Sequence, residues 1–398
     1  MTATPITMFE RAAIEHEPTA TRSKRPVVVH LLHTVAYGGI ETILINWFGS
    51  VDPARVDLHL VVFANPSASE DAFVREAAKR GIKVRKIPWS RRKPIFKSAR
   101  ALAPILRELN ADIVHAHNVY AEFVAYIAAR KVGAKVMNTL YVWADFGWKR
   151  NIQQWVSARL IRRFDLVTSQ CPQTMNETIR RGVPASKQKV LISGIRPLSD
   201  RMDPQTRRAR RAEMGVHDDD FALVNVARLY PEKAQDLLLR AFKRIYEQRP
   251  KTQLRIFGIG PLDAELRALC TSLGLDDSVR FMGFAEDLPS ILQCCDMMIH
   301  PSHAEGVPLS ICEGMRAGLP ILATRVGGVP DMITDDRSGC LIPPNDESNL
   351  AETAVSLIDD ETTRKRLGEG ARTFIEEEYS LEVAADGLMR TYEELAAR

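Results

Sequence analysis

The longest apolar runs of this 398-residue sequence fall short of the about 18 residues that a membrane-spanning helix needs, so no such helix is expected. The N-terminal stretch "MTATPITMFERAAIEHEPTATRSKRP" has no apolar core of the kind a secretory signal carries, and it reads as a disordered leader over 1–25. Cysteine is sparse: the six residues (171, 270, 294, 295, 312, 340) show no CxxC spacing. That pattern argues against a zinc site or a disulfide scaffold and favours reduced, structural thiols in a cytoplasmic protein. Net charge is only +4, which does not point to nucleic acid. The dinucleotide fingerprint GxGxxG is also missing from the turn after the first strand.

What the chain does have is a repeated alternation. From Val27 onward, β-branched runs at 27–33, 56–63, 82–87, 112–117, 134–140, 165–170 and 189–192 read as strands. Helical patterns at 40–50, 70–80, 94–109, 119–131, 150–163 and 172–181 separate them. Charge then gathers in "SDRMDPQTRRARRAEMGVHDDD", which reads as a linker over 199–220. The alternation restarts with strands at 221–229, 252–260, 278–284, 296–302, 320–324 and 339–344. Helices are expected at 233–248, 261–273, 287–293, 308–317, 346–358, 360–370 and 380–396. Continuously apolar strands separated by helices predict parallel sheets covered on both faces. The expected architecture is α/β, with two doubly wound Rossmann-like domains facing an interdomain cleft. The domains would span 26–198 and 221–378, with a final helix in 379–398 packing back toward the first.

Candidate ligand-binding turns all fall where strands end. Gly38 and Gly39 lead into a helix whose first turn holds Glu41 and Thr42, an arrangement that brings backbone N–H groups to a phosphate, although a plain tight turn looks the same. Arg228 and Lys233 flank Pro231 at the next such turn. A fork and a point charge can clamp a diphosphate there, or both can be solvated. Gly258 and Gly260 stand before Pro261, and "SVRFMGF" runs from a strand into Arg280–Gly283; neither is specific alone.

The most informative stretch is "HAEGVPLSICEGMRAGLPILATRVGG". Pro308 suits a first helical position, which leaves the N–H groups of Leu309 and Ser310 as an anion site. Glu305 precedes that start, and Glu313 lies about 7 Å further along the axis. One carboxylate then stands on each side of a phosphate site, as the hydroxyl-bearing ends of a nucleotide sugar require. The triple aspartate 218–220 precedes a strand in a charged segment and reads as a turn rather than a metal site.

Taken together, Gly38-Gly39, Arg228-x4-Lys233, "FGIGP", "VRFMGF" and Glu305-x7-Glu313 followed by "GMRAGLPILATRVGG" resemble the retaining family 4 glycosyltransferases (glycosyl transferases group 1) of GT-B fold. The resemblance runs from Val27 to the C-terminus. It implies a metal-independent retaining transfer of a hexose or N-acetylhexosamine from a nucleotide-diphosphate sugar, UDP favoured over GDP, with no further cofactor. It implies that Arg228 and Lys233 neutralise the leaving diphosphate, Glu305 binds sugar hydroxyls and Glu313 the ribose. Backbone at Gly39, Gly306, Val307, Pro308 and Leu309 would lie along phosphates and sugar, with backbone at Arg280 reading the base. His117 of "HAHN" matches a family histidine near the donor sugar, while His115 would support the strand. Without the family, either histidine would read as a satisfied core residue.

Two departures stand out. Gly306-Val307-Pro308 replaces the frequent Gly-Phe-Gly, which removes one N–H beside the sugar, and "NTLYVWADFGWKR" replaces a threonine-histidine pair. Tyr141, Trp143 and Trp148 there either face an acceptor or pack in the core. The segment 86–107 carries seven Lys/Arg and no acidic residue, which suits either a solvated helix face or an anionic membrane surface. The latter would mean peripheral attachment at the inner face of the membrane and a lipid-linked rather than a free saccharide acceptor. The alternative readings are a nucleotide-sugar epimerase or hydrolase of the same fold, and a non-catalytic nucleotide-sugar-binding subunit.

Overall fold

The computed structural model describes residues 25–398 except 35–37, 65–67, 89–93, 144–147, 197, 199–200 and 286; side chains at 68–71 and 148–150 also lie outside the description. The expected leader therefore lies almost wholly outside the described residues, as do Trp89 and the Trp148 side chain.

β1 (Val27–Leu32) is apolar at all but one position and buried almost throughout, which places it inside a sheet with helices on both faces. It is joined by β2 (Asp57–Ala64), β3 (Val84–Pro88), β4 (Ile113–His117), β5 (Lys135–Leu140), β6 (Leu166–Ser169) and β7 (Gln188–Val190). All pairs are parallel, in the order β3-β2-β1-β4-β5-β6-β7. A second sheet repeats the plan with β8 (Phe221–Val226), β9 (Thr252–Phe257), β10 (Val279–Gly283), β11 (Met297–His300), β12 (Ile321–Thr324) and β13 (Gly339–Ile342), ordered β10-β9-β8-β11-β12-β13. The architecture is the GT-B arrangement of two doubly wound units. In each sheet the strand order reverses once, between β1 and β4 and between β8 and β11. A crevice opens at such a reversal, outside the carboxyl ends of the strands.

The charged segment 199–220 holds more than a connection, because Pro204–Glu213 is a helix. Asp203 caps it by accepting from the N–H groups of Gln205 and Thr206, both at 3.0 Å. Its arginines, rather than an apolar face, anchor it: Arg207 and Arg211 both bind Asp296, just before β11, and Arg211 also donates to the Cys294 carbonyl. Periodicity of apolar residues could not reveal such a helix. The aspartates 218–220 form a turn closed by Asp220, which accepts from the His217 N–H.

The end of the chain crosses to the first unit. Ile195 pairs with the backbone on both sides of Ser380. Helix Leu381–Ala397 then packs on helix Gly39–Ser50 and on β4. Leu388, Tyr392 and Leu395 join the core formed by Ile43, Leu44 and Trp47, and burying each leucine contributes about 1.5–3 kcal/mol. Arg55 grips Glu393 with two hydrogen bonds of 2.9 and 2.7 Å and reaches Asp386 at 2.9 Å. All six cysteines are free and five are buried.

Candidate active site

The reversal in the second sheet brings two turns together. Pro231–Lys233 is one turn of 3-10 helix following β8, and it aims Lys233 across the crevice at the loop after β11. There the Lys233 Nζ lies 2.6 Å from Glu305 Oε1. His300, the last residue of β11, donates from Nε2 to the same oxygen at 2.6 Å. Among the described residues none donates to Oε2. Burial alone would raise the Glu305 carboxyl. Lys233 and His300 outweigh that and hold it well below the usual carboxylate range, so Glu305 is an anion. His300 was not singled out from sequence, although it stands five residues before Glu305 at the end of a buried strand.

The glycine pair in "TRVGG" shapes this loop. Gly327 has φ +56°, and a Cβ there would overlap the Glu305 carbonyl oxygen, while the Gly328 N–H donates to the Gly306 carbonyl at 2.9 Å. Gly306 in turn faces the first unit so closely that a Cβ would overlap the Tyr141 carbonyl oxygen. Gly258 and Gly260, expected at the ligand, let the loop after β9 lie against the Ala227 and Leu229 carbonyls of the loop after β8.

Two helix starts meet across the cleft. Helix Gly39–Ser50 begins at Gly39, where an added Cβ would stand 3.7 Å from Leu309, the first residue of helix Leu309–Arg316. Pro308 is the cap of the latter rather than its first helical residue, a shift of one position that leaves the N–H groups of Leu309 and Ser310 at the helix start. Val307 beside it is buried in the core of the second unit. Two helix starts brought together, each with N–H groups that no helical carbonyl takes, make a site for an anion such as phosphate. Gly38 gives its own N–H to Glu41 Oε2 at 3.1 Å. Burial raises the Glu41 carboxyl to about 7, against the pull of hydrogen bonds and of Arg228.

Other expected residues are less convergent. Arg228 is 62% exposed and lies over the Tyr230 ring, 3.3 Å from Glu232, so it does not join Lys233 in one clamp here. Glu313 is ion-paired with Arg316 one turn on, and burial outweighs that pairing to push its carboxyl up. Arg280 sits near the start of β10, three residues short of Gly283, with its guanidinium against Gly215. This places it away from the carboxyl edge where a base would lie. His117 is wholly buried with both ring nitrogens taken, Nδ1 by Tyr141 and Nε2 by His30, each at 2.9 Å. Its Nδ1 partner Tyr141 is half-buried, and the Tyr141 backbone abuts Gly306 of the second unit. Trp143 is packed core: its Nε1 donates to Thr178 at 2.7 Å and Arg181 covers its ring.

Comparison with known proteins agrees with this geometry. Residues 206–374 match the family described as "Glycosyl transferases group 1", and 38–194 match a "Glycosyl transferase 4-like domain". The chain is 26% identical over 395 residues to a GDP-mannose-dependent monoacylated alpha-(1-6)-phosphatidylinositol monomannoside mannosyltransferase of Corynebacterium glutamicum, covering 92% of this chain and 97% of the relative. It is likewise 26% identical to a D-inositol 3-phosphate glycosyltransferase of Saccharomonospora viridis, over 87% of this chain and 88% of the other. In fold it is similar to Anabaena HepE, solved in complex with UDP-glucose, with a TM-score of 0.82 at 22% identity over 92% of this chain and 99% of the other. Two matched spans that together take in every strand of both sheets except β1, on the fold those motifs require, identify the chain as a glycosyltransferase belonging to the group 1 family of GT-B fold.

Proposed function

We propose that this enzyme transfers a hexose or N-acetylhexosamine, with retention and without a metal, from a nucleotide-diphosphate sugar to a hydroxyl of a polysaccharide or glycolipid intermediate. The observation that carries the reading is the meeting of the Gly39 and Leu309 helix starts beside the Lys233–Glu305 pair. Bond cleavage between the anomeric carbon and the diphosphate sends the electron pair to the leaving phosphate. Helix-start N–H groups and Lys233 stabilise that charge, with Arg228 as a second cation from the exposed rim. The acceptor oxygen bonds to the same face of the anomeric carbon, and its proton passes to the departing phosphate oxygen. Glu305 and Glu313 position sugar and ribose rather than trade protons. Ordered as it is by two donors on Oε1, Glu305 presents Oε2 to the sugar hydroxyls.

UDP is favoured as the nucleotide, in keeping with the UDP-glucose complex of the similar HepE, and the relative named for GDP-mannose supplies the competitor. A thermal-shift panel of UDP- and GDP-sugars separates them, because a ligand that binds the folded state raises its melting temperature. The best responder is then offered acceptors. Lys233→Ala should lower transfer by about 100-fold or more while the protein stays folded. Full activity in that variant would reject the mechanism, and hydrolysis or epimerisation without transfer would favour the other enzyme classes of this fold. Activity that survives chelator supports metal independence.

A lipid-linked acceptor at the inner face of the cell membrane is part of the same proposal. No helix among the described residues is long and apolar enough to cross a membrane. Phe96, however, is 79% exposed on helix Ile95–Leu109, beside Lys97 and Arg100, and Ile152 and Trp155 are exposed on helix Trp148–Ile161. Residues 89–93 of the basic segment lie outside the description. Salt-sensitive co-flotation with anionic liposomes is expected, and its absence would remove the membrane component.

A further inference from the structure

A line of seven hydrogen bonds runs from Tyr141 into the middle of the first sheet. The Tyr141 hydroxyl meets His117 Nδ1 at 2.9 Å, and His117 Nε2 meets His30 Nδ1 at 2.9 Å. His30 Nε2 meets the Tyr392 hydroxyl at 2.9 Å, which meets His115 Nδ1 at 2.8 Å. His115 Nε2 continues to Thr139 at 2.8 Å, Thr139 to Thr168 at 2.8 Å, and Thr168 to the Asn138 carbonyl at 2.9 Å. Tyr392 belongs to the final helix, so the end of the chain supplies the middle link.

The far end assigns every proton. A carbonyl oxygen only accepts, so the Thr168 proton is used on Asn138. Thr168 therefore accepts from Thr139, and Thr139, its own proton committed, accepts from His115 Nε2–H. The three imidazoles are wholly buried, and burial holds all of them well below the ordinary histidine range, so each carries one N–H. Neutral His115 then offers Nδ1 to the Tyr392 proton. Tyr392 accepts from His30 Nε2–H, His30 Nδ1 accepts from His117 Nε2–H, and His117 Nδ1 accepts the Tyr141 proton. Each step has one solution. The rings also pack on one another, His30 stacked on His117 with centroids 5.1 Å apart, which holds the line in place.

Tyr141 is half-buried just beyond the carboxyl end of β5, and its backbone abuts Gly306, the neighbour of Glu305. We propose that Tyr141 is a specificity-determining residue whose hydroxyl oxygen can only accept, so that it selects a hydroxyl on the sugar bound beside Glu305. This rests on the nucleotide-sugar reading of the cleft. Tyr392 acts through the histidines as a positioning residue. Without its hydroxyl, His30 and His117 are free to exchange tautomers, and Tyr141 can turn its proton toward the cleft.

The same three histidines place nitrogens within 4.8 Å of one another, a spacing that could also hold a metal ion. An ion would take the nitrogens that the chain of hydrogen bonds uses, so the two arrangements are mutually exclusive. Long-range proton–nitrogen NMR of the full chain at pH 7 should find His30, His115 and His117 neutral and protonated on Nε2. A proton on Nδ1 of His115 or His117, a charged ring, or binding of added zinc to all three would overturn the assignment without any variant.

The functional arm uses UDP-glucose and its monodeoxy analogues. Tyr141→Phe should lower kcat/KM for UDP-glucose by about three- to tenfold and cost nothing further with one analogue, the one lacking the selected hydroxyl. Tyr392→Phe should lose the same preference with its fold intact by circular dichroism, and the double variant should be no worse than Tyr141→Phe. Additive losses, or an unchanged ranking of analogues, would overturn the proposal. If instead the nucleotide-sugar reading were at fault, the wild type itself would neither bind nor turn over UDP-glucose or any other donor of the panel.

Discussion

Replacing Glu305 by glutamine tests the centre of the site most directly. The substitution keeps the shape but removes the charge that two donors share, Lys233 Nζ and His300 Nε2, each 2.6 Å from Oε1. The side chains of Glu305 and Lys233 are only 6% and 14% exposed, so solvent screens the pair little. Removing one member of a buried pair costs about 3–5 kcal/mol. The amide oxygen still accepts one hydrogen bond, so about 2–3 kcal/mol is expected for Glu305→Gln. In the second domain this amounts to a drop in melting temperature of roughly 5–10 °C at pH 7.5. The sign of the pH dependence follows from the carboxyl being held below its ordinary value of 4.5. Its stabilisation is complete above about pH 4.5 and is lost as pH falls through the folded-state value. Calorimetry of both proteins across pH should therefore show a gap that is full at neutral pH and closes in acid. Equal melting at pH 7.5, or a gap that persists undiminished in strong acid, would refute the buried ion pair.

Other consequences follow from the same contacts. Gly306→Ala should leave each domain's stability nearly unchanged, because that residue's φ is ordinary, but its methyl forces the domains apart at the Tyr141 carbonyl; transfer should fall at least tenfold in a steady-state assay. Gly327→Ala meets both a positive φ and the Glu305 carbonyl, so it should cost about 1–3 kcal/mol and lose activity, measurable by denaturant midpoint. His30 is held at about 3, and His115 and His117 are also lowered from 6.5. The stability they confer is full above pH 6.5 and declines as pH falls, by up to about 1.4 kcal/mol per pH unit for each histidine. A flat denaturation midpoint for the first domain between pH 7 and 5 would contradict their burial as neutral rings.

The alternation of apolar strands with helices is written locally, since side-chain direction in a strand repeats every two residues and in a helix every 3.6. That is why two doubly wound parallel sheets were legible in the amino-acid order, while the GT-B name came from the resemblance of the motifs. Glu305, Lys233 and the helix start at Leu309 could be singled out for the same reason, each lying at the end of a readable element. The helix Pro204–Glu213 was not legible, because arginine hydrogen bonds to Asp296 replace the apolar face that periodicity detects. Nor did spacing reveal that Lys233 pairs with Glu305 while Arg228 stays in solvent, since strand order decides which loops share a crevice. Tyr141 and Trp143 looked alike in sequence, yet one is half-buried against Gly306 of the second unit and the other is core, which depends on the helix that bears Thr178. Tyr392 is the extreme case: it meets His115 from 277 residues away. What the amino-acid order determines alone is the set of elements and where their ends fall. Which buried polar atoms find one another is a tertiary decision, because a desolvated hydrogen-bonding group must be satisfied by whatever the finished packing places beside it.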